Sequence, residues 1–213
     1  DNGTARATFD IASLPVGDYT VTITLAGYEE SPVETTFRKL APRLGAVQYT
    51  DYGVLLRDGK PFFPMGFFYI KNYLHGTNEK GEQDEEKTKF RDEYVEAGFT
   101  SFMMEWVHSE AYVQISRNSK PFGLVPIVGI QKMGEALPYD SKGDYTWKGL
   151  LEGRIPSVRQ GVQMVSRLAG DNILCWFLRD EPNEIMYPMV KGYHDLIKEE
   201  DPYHPTLTSF ATE

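Results

Sequence analysis

The first 40 residues alternate between apolar and polar positions with a period of two. The clearest stretch is DYTVTITLAGY, residues 18–28, in which every second residue from Tyr19 to Leu25 is apolar and threonines separate them. TARATFDIA, residues 4–12, follows the same rule, and VETTFRKL, residues 33–40, is predicted as a third strand. This period predicts antiparallel strands with one packed face. Three strands are too few to close a sandwich, so we expect residues 1–40 to be the C-terminal part of a β-sandwich domain.

The pattern changes after APRLGA, residues 41–46, a segment typical of a linker. A hairpin around Asp58-Gly59 comes first, and short apolar runs then alternate with segments of helical period. The predicted strands are residues 65–70, 99–106, 123–131, 172–181 and 204–211. The predicted helices are one that ends near Gly98, residues 109–119 with Ser109 as N-cap, one with Pro156 in its first turn after a loop at about 132–154, and residues 183–202. This succession is typical of an α/β protein with a parallel sheet.

Two architectures use such a sheet, the (β/α)8 TIM barrel and the doubly wound sheet. No glycine-rich phosphate loop follows a predicted strand and the motif GxGxxG is absent, which favours the barrel. A complete barrel needs about 250 residues. Residues 47–213 supply about five strands, so we expect them to be the N-terminal part of a barrel that residues outside this sequence complete.

Charge and composition narrow the range of partners. The 213 residues carry a net charge of −9, which disfavours binding to nucleic acid or to an anionic membrane through bulk electrostatics. No run approaches the roughly 18 apolar residues of a membrane span, so we expect no membrane insertion. Cys175 is the only cysteine and is expected to be a small buried hydrophobe. The four histidines show no metal-ligand spacing, and we expect neither metal nor cofactor.

Polar and aromatic residues stand where the predicted strands end. In a (β/α)8 barrel the chemistry lies at these carboxyl ends. The candidates there are Tyr69, Glu105, Trp106, Arg179, Asp180 and Glu181. Glu181 follows an apolar strand that contains Trp176, so we expect its carboxyl group to lose hydration and to keep its proton near neutral pH, as a general acid must. Glycoside hydrolysis uses one such acid and a second carboxylate across the sugar.

Purely structural roles remain open for these residues. Arg179, Asp180 and Glu181 would also fit a solvated strand-to-helix loop, with Asp180 or Asn183 capping the next helix. Glu105 fits a substrate contact or a salt bridge to Arg179 or to a lysine.

Two further alternatives concern the aromatic loop and a metal. Trp147, in the loop predicted at 132–154, either stacks on a sugar ring or packs locally. Asp180 together with Glu105 would also suit a metal-dependent hydrolase.

Two stretches carry a family resemblance. GVLLRDGKPFFPMGFFYI, residues 53–70, resembles the segment that leads into the catalytic barrel of glycoside hydrolase family 2, the β-galactosidase, β-glucuronidase and β-mannosidase group. WFLRDEP, residues 176–182, is similar to the fourth-strand end of the wider clan of retaining (β/α)8 glycosidases, where an Asn-Glu or Asn-Glu-Pro sequence stands. That family also places a β-sandwich directly before its barrel, as expected here for residues 1–40.

The resemblance implies roles for individual positions. Glu181 matches the family's acid/base glutamate, and Asp180 occupies the position of its asparagine. That asparagine donates a hydrogen bond to the sugar 2-hydroxyl, which an ionised aspartate cannot do, so we hypothesise that Asp180 accepts from a 2-hydroxyl or 2-amino group. Phe67, Phe68 and Tyr69 also depart from the polar groups that are common at the first strand end.

The resemblance implies a retaining glycosidase that acts on a carbohydrate without a cofactor. Its nucleophile would be a glutamate at the seventh strand end, and Glu213 comes too early, so the nucleophile is expected outside this sequence. The alternative is a non-catalytic glycan-binding or structural module of a larger extracellular assembly.

Overall fold

The computed structural model describes residues 8–27, 31–68, 74, 76–77, 82–104, 107–130, 133 and 147–210, without the side chains of 147–153 and 185. The chain divides into two compact units, Asp1–Pro42 and Arg43–Glu213.

The first unit contains an antiparallel pair of strands. β1 (Gly17–Ile23) pairs with β2 (Val33–Lys39), and the rings of Tyr19 and Phe37 stack across the pair at 5.1 Å. These are two of the three predicted strands. The third prediction is wrong over its described residues, 8–12, which lie outside any strand. The Lys39 ammonium group instead donates to three carbonyl oxygens of the segment before β1, those of Ile11, Ala12 and Leu14. These hydrogen bonds hold the segment as a loop.

The second unit opens with a small antiparallel sheet. Its strands are β3 (Val47–Tyr49), β4 (Leu55–Arg57) and β5 (Lys60–Pro61). The hairpin predicted at Asp58-Gly59 is confirmed, and both residues have positive φ, 51° and 71°, as a type I′ turn requires.

A parallel four-stranded sheet forms the centre of the second unit, so the predicted mixed α/β class is confirmed. Its strands are β6 (Ser101–Met104), β7 (Val125–Gly129), β8 (Cys175–Asp180) and β9 (Thr206–Ser209), in that spatial order. The helices are α1 (Glu85–Glu96), α2 (Ser109–Ser119), α3 (Trp147–Ala169) and α4 (Tyr187–Glu200). Each strand therefore lies beside the next one in the chain, with a helix between them in sequence.

The predicted strand 65–70 is only partly observed. Phe68 forms an isolated parallel bridge with Met103, and the amide of Met103 donates to the carbonyl of Phe67 at 3.2 Å. Residues 65–68 thus lie beside β6 in the direction of the sheet, but the structure assigns no strand to them.

The two faces of the sheet bury different residues. The larger core includes Phe102, Val128 and Trp176 together with apolar residues of all four helices. A smaller cluster contains Val47, Val125, Leu174 and Cys175, and Leu55 and Phe62 pack against it. β7 is almost entirely buried, as its uniformly apolar sequence predicts. Cys175 is buried as expected, and burial raises the pKa of its thiol to about 12.

One predicted helix start and one predicted N-cap are wrong. α3 begins at Trp147, so the last part of the loop predicted at 132–154 is helical, and Pro156 lies inside the helix and not in its first turn. α2 spans Ser109–Ser119, as predicted, but its N-cap is His108 and not Ser109, whose side chain is buried. The remaining features agree with the sequence: Gly98 follows α1 with a φ of 86°, and Val158, Val162 and Val165 of α3 are buried.

Candidate functional site

The carboxyl ends of β8 and β9 bring three polar residues together. Asp180 is the direct partner of Ser209 in the parallel ladder, and the hydroxyl of Ser209 donates to Oδ1 of Asp180. The amide of Glu181 donates to the carbonyl of Ser209 at 3.0 Å. The backbone of β9 therefore fixes the position of Glu181 at the edge of the sheet.

A β-bulge in β8 lies just before these residues. The register with β9 shifts between Phe177 and Arg179, so Leu178 has no partner of its own in that ladder. A bulge bends the strand and changes the direction of the side chains that follow, and bulges are frequent beside active sites. The faces of Asp180 and Glu181 therefore cannot be counted forward from Trp176 by simple alternation.

Glu181 has a left-handed backbone conformation, with a φ of 42°. For a residue with a Cβ this costs about 1–2 kcal/mol. The conformation is held on both sides, by the bond from its amide to Ser209 and by the buried Pro182 that follows. Strained residues of this kind cluster at functional sites, so the geometry singles out Glu181 independently of its position in a motif.

The environment expected for Glu181 is not observed. Its side chain is exposed, whereas Trp176 is fully buried and its Nε1 donates to Oδ2 of Asp201 at 2.9 Å. Trp176 also precedes Glu181 by five residues, about 16 Å along an extended strand. The prediction that Trp176 removes water from the carboxyl group is therefore wrong, because the indole packs in the helix-covered core.

Arg179 is half-buried and lies toward α4. Within the described part of the chain it forms no ion pair, and its Nε is buried without a hydrogen-bond partner. Burial raises the pKa of Tyr193 in α4, and the positive charges of Arg154 and Arg179 lower it. The guanidinium of Arg179 is thus close to Tyr193, and the salt bridge suggested with Glu105 falls on a residue outside the described set.

Four other predicted site residues lie wholly or partly outside the described residues. Tyr69, Glu105 and Trp106 lie outside the described residues. The backbone of Trp147 lies in the first turn of α3, and its side chain is not described.

Neither a metal site nor a membrane-spanning helix is found among the described residues. These contain no group of three or more His, Cys, Asp or Glu side chains arranged to hold a metal ion. None of the described helices is both long and apolar enough to cross a membrane.

Ser209 stands at the end of the fifth predicted strand but is not one of the site residues chosen from the sequence. Parallel neighbours end at the same edge of a sheet, so comparing the ends of the fourth and fifth predicted strands would have placed it beside Asp180. The left-handed turn at Glu181 has no such signal, since glycine or asparagine usually marks that conformation.

The fold and these residues define a mixed α/β protein with polar side chains at the carboxyl edge of a parallel sheet. No protein-family model matches the chain, and no curated protein matches it. Among solved structures it is similar to a beta-glucuronidase from an uncultured Clostridium sp., with 17% identity and a TM-score of 0.49. The match covers 84% of this chain and 30% of that one, so the chain spans less than a third of that protein.

Proposed function

We propose that this chain is part of a retaining glycoside hydrolase of the family 2 type, with Glu181 as its general acid/base. The observation that carries the proposal is the position of Glu181: an exposed carboxylate directly after β8, fixed to Ser209 and held in a left-handed turn. A strained, exposed carboxylate at the carboxyl edge of a parallel sheet suits contact with a bound substrate better than it suits packing.

The sheet order supports a (β/α)8 barrel as the architecture. In a doubly wound sheet the strand order reverses at a switch point. Here the four strands follow chain order in one direction, and residues 65–68 extend the sheet on the side of β6. We likewise propose that β1 and β2 belong to a β-sandwich domain that precedes the barrel.

Exposed apolar side chains at both borders of the sheet support completion of the barrel by further residues. On the β9 side Leu207 and Phe210 are 40% and 61% exposed, and on the other side Phe63 and Phe67 are 79% and 55% exposed. Apolar surface of this kind usually marks an interface. We propose that strands and helices outside residues 1–213 cover it and that one of them supplies the nucleophile.

The mechanism would use two carboxyl groups about 5 Å apart across the sugar. Glu181 protonates the oxygen of the leaving group while the nucleophile attacks the anomeric carbon. The carboxylate of Glu181 then takes a proton from the water that releases the sugar. Since Glu181 is exposed, the bound sugar must itself exclude water from the carboxyl group.

Asp180 would orient the sugar. Its Oδ1 already accepts a hydrogen bond from Ser209, which fixes the carboxylate and leaves Oδ2 to accept from a 2-hydroxyl or 2-amino group. Tyr69, Glu105, Trp106, Trp147 and Arg179 are proposed as further substrate contacts.

The test is hydrolysis of alkyl glycosides, whose leaving-group oxygen is basic, by the full-length polypeptide that carries this sequence. We expect Glu181→Gln to lower kcat/KM about 10²- to 10⁴-fold, the usual contribution of a general acid. Glu184→Gln is the matched control, an exposed glutamate three residues further on, and should leave kcat/KM unchanged. Equal losses in the two variants, or none in either, would contradict the role of Glu181.

The replacement of the family's asparagine by Asp180 favours the second candidate, a non-catalytic glycan-binding module. That candidate predicts that the wild-type polypeptide binds glycans but hydrolyses none of them. Binding without turnover would therefore replace the first proposal with the second.

A further inference from the structure

A buried charged cluster lies at the opposite edge of the sheet from Glu181, and the proposed function does not use it. Asp201 follows α4 and His204 precedes β9, and both side chains are completely buried. We define the His204 cluster as these two residues with Trp176, Arg43 and the carbonyl group of Gly45. It joins the segment before β3 to the amino ends of β8 and β9.

Both ring nitrogens of His204 face an acceptor. Nδ1 lies 2.8 Å from Oδ2 of Asp201, and Nε2 lies 3.1 Å from the carbonyl oxygen of Gly45. A backbone carbonyl oxygen only accepts, and so does an ionised carboxylate. A neutral imidazole carries one N–H, so it could satisfy only one of these two contacts.

The state of Asp201 supports the same reading. Burial raises the pKa of Asp201, but the hydrogen bonds from His204 and Trp176 and the charge of Arg43 are among the interactions that lower it on balance. Its Oδ2 accepts from Trp176 Nε1 at 2.9 Å as well as from His204, and its Oδ1 lies 3.4 Å from Arg43. A protonated Asp201 would lose one of these acceptor positions, so the ionised form fits the cluster.

We propose that His204 is a buried imidazolium that binds the carbonyl of Gly45, so that the attachment of residues 43–47 to the sheet weakens when this proton is lost.

The segment is built for a close approach. Gly45 has a φ of 82°, and a Cβ there would lie 2.6 Å from backbone atoms of Asp171. Its amide donates to Asp58 at 2.6 Å, and the amide of Val47 donates to the carbonyl of Tyr203 at 2.9 Å. The contact from His204 therefore lies between two other hydrogen bonds of the same segment.

Some of the other charged and titratable groups around the cluster favour a positive charge on His204, and others oppose it. The groups are Arg43, Asp58, Lys198, Asp201 and Tyr203. The Lys198 ammonium group donates to the carbonyl of His204 at 3.3 Å, and burial lowers the pKa of Lys198 while Asp201 raises it. Arg43 lies over the ring of Tyr203 and is also bound by Ser166. These cations oppose a charge on His204, but Asp201 favours it through a direct hydrogen bond.

The expected pH dependence has a definite sign. In the unfolded chain a histidine releases its proton near pH 6.5, about the ordinary value. A folded state that keeps the proton binds more protons than the unfolded state above that pH, so stability falls as pH rises. The folding equilibrium constant should fall by up to about tenfold per pH unit from this single proton.

Nitrogen-15 NMR of the histidine rings in the wild-type chain tests the protonation state directly. At about pH 7.5, a full unit above the ordinary histidine value, we expect both nitrogens of His204 to be protonated. His194 is the internal control. Its Nδ1 contacts the Thr206 hydroxyl at 2.7 Å, and because a hydroxyl group both donates and accepts, this contact does not require a proton on Nδ1. An unprotonated nitrogen signal from His204 at this pH would overturn the proposal.

Urea unfolding at about pH 6 and about pH 8.5 tests the consequence, since this range brackets histidine titration. His204→Asn should remove most of the decline in folding equilibrium constant between the two pH values, and His194→Asn should retain it. If His204→Asn keeps the wild-type decline, the proton is not bound where we propose. Should that variant not fold, the NMR result on the wild-type chain decides alone.

Discussion

Replacing Glu181 by glycine should give a more stable chain than replacing it by alanine. The side chain is exposed, so truncation to alanine removes few contacts and should change the free energy of unfolding by no more than about 0.5 kcal/mol. The backbone, however, has a φ of 42°, which costs a residue with a Cβ about 1–2 kcal/mol. Glycine avoids that cost but loses about 0.5–1 kcal/mol more conformational entropy than alanine on folding. The balance favours glycine by about 0.5–1 kcal/mol.

Glu184 provides a control of opposite sign. It is also exposed and lies three residues further on, in a short 3-10 helix with an ordinary backbone. There the glycine variant should be less stable than the alanine variant by about 0.5–1 kcal/mol. Urea unfolding of the four variants, followed by tryptophan fluorescence and circular dichroism, gives the two differences. An alanine variant as stable as the glycine variant at position 181 would refute the assignment of strain to Glu181.

This prediction also separates stability from function. Both variants lack the carboxyl group proposed as the general acid, so they should lose activity to the same extent although Glu181→Gly is the more stable of the two.

Three further predictions concern the buried groups. Asn172→Ala should lower the free energy of unfolding in urea by about 1–3 kcal/mol. It leaves the carbonyl group of Leu124 without the amide that now binds it at 3.0 Å, whereas the carbonyl group of Ser116 still accepts from the hydroxyl of Ser119 at 3.1 Å. A loss below about 1 kcal/mol, the low end for an unmet hydrogen bond, would contradict this. Cys175, whose thiol has its pKa raised to about 12, should resist iodoacetamide in the native chain and react in urea, and fast native alkylation would disprove its burial. Folding lowers the pKa of Asp201. Ionised Asp201 therefore stabilises the fold at pH values above its ordinary pKa of about 3.9, and this stabilisation is lost as the pH falls through its pKa in the folded state. Asp201→Asn should therefore unfold less steeply on acidification than the wild type, and an unchanged acid transition would exclude that linkage.

The sequence predicted the parallel sheet well because its signals are strong there. The apolar runs that became β6, β7, β8 and β9 are short, dense in branched and aromatic residues, and separated by helical periods. Glycine marked the turn at Asp58-Gly59 and the end of α1 at Gly98. Those positions are constrained locally, so local patterns suffice to find them.

The errors came from interactions that local patterns do not contain. The segment before β1 alternates like a strand, but Lys39 binds its carbonyl groups from 25 or more residues away. Pro156 suggested a helix start because proline is common in first turns, yet α3 begins nine residues earlier, at Trp147. At the candidate site the bulge after Phe177 and the left-handed turn at Glu181 depend on pairing with β9. The exposure of Glu181 depends equally on the fold, and no spacing in the sequence predicts it.

The most direct test of the proposed role of Glu181 is how the loss of activity in Glu181→Gln depends on the leaving group of the substrate. A general acid is needed when the departing oxygen is basic and is dispensable when that oxygen is a good leaving group. In the full-length polypeptide, Glu181→Gln should therefore hydrolyse alkyl glycosides about 10²- to 10⁴-fold more slowly than the wild type. The same variant should release dinitrophenol from dinitrophenyl glycosides, the first step of the reaction, at nearly the wild-type rate. A loss of the same size for both substrates would contradict the assignment of Glu181 as the general acid.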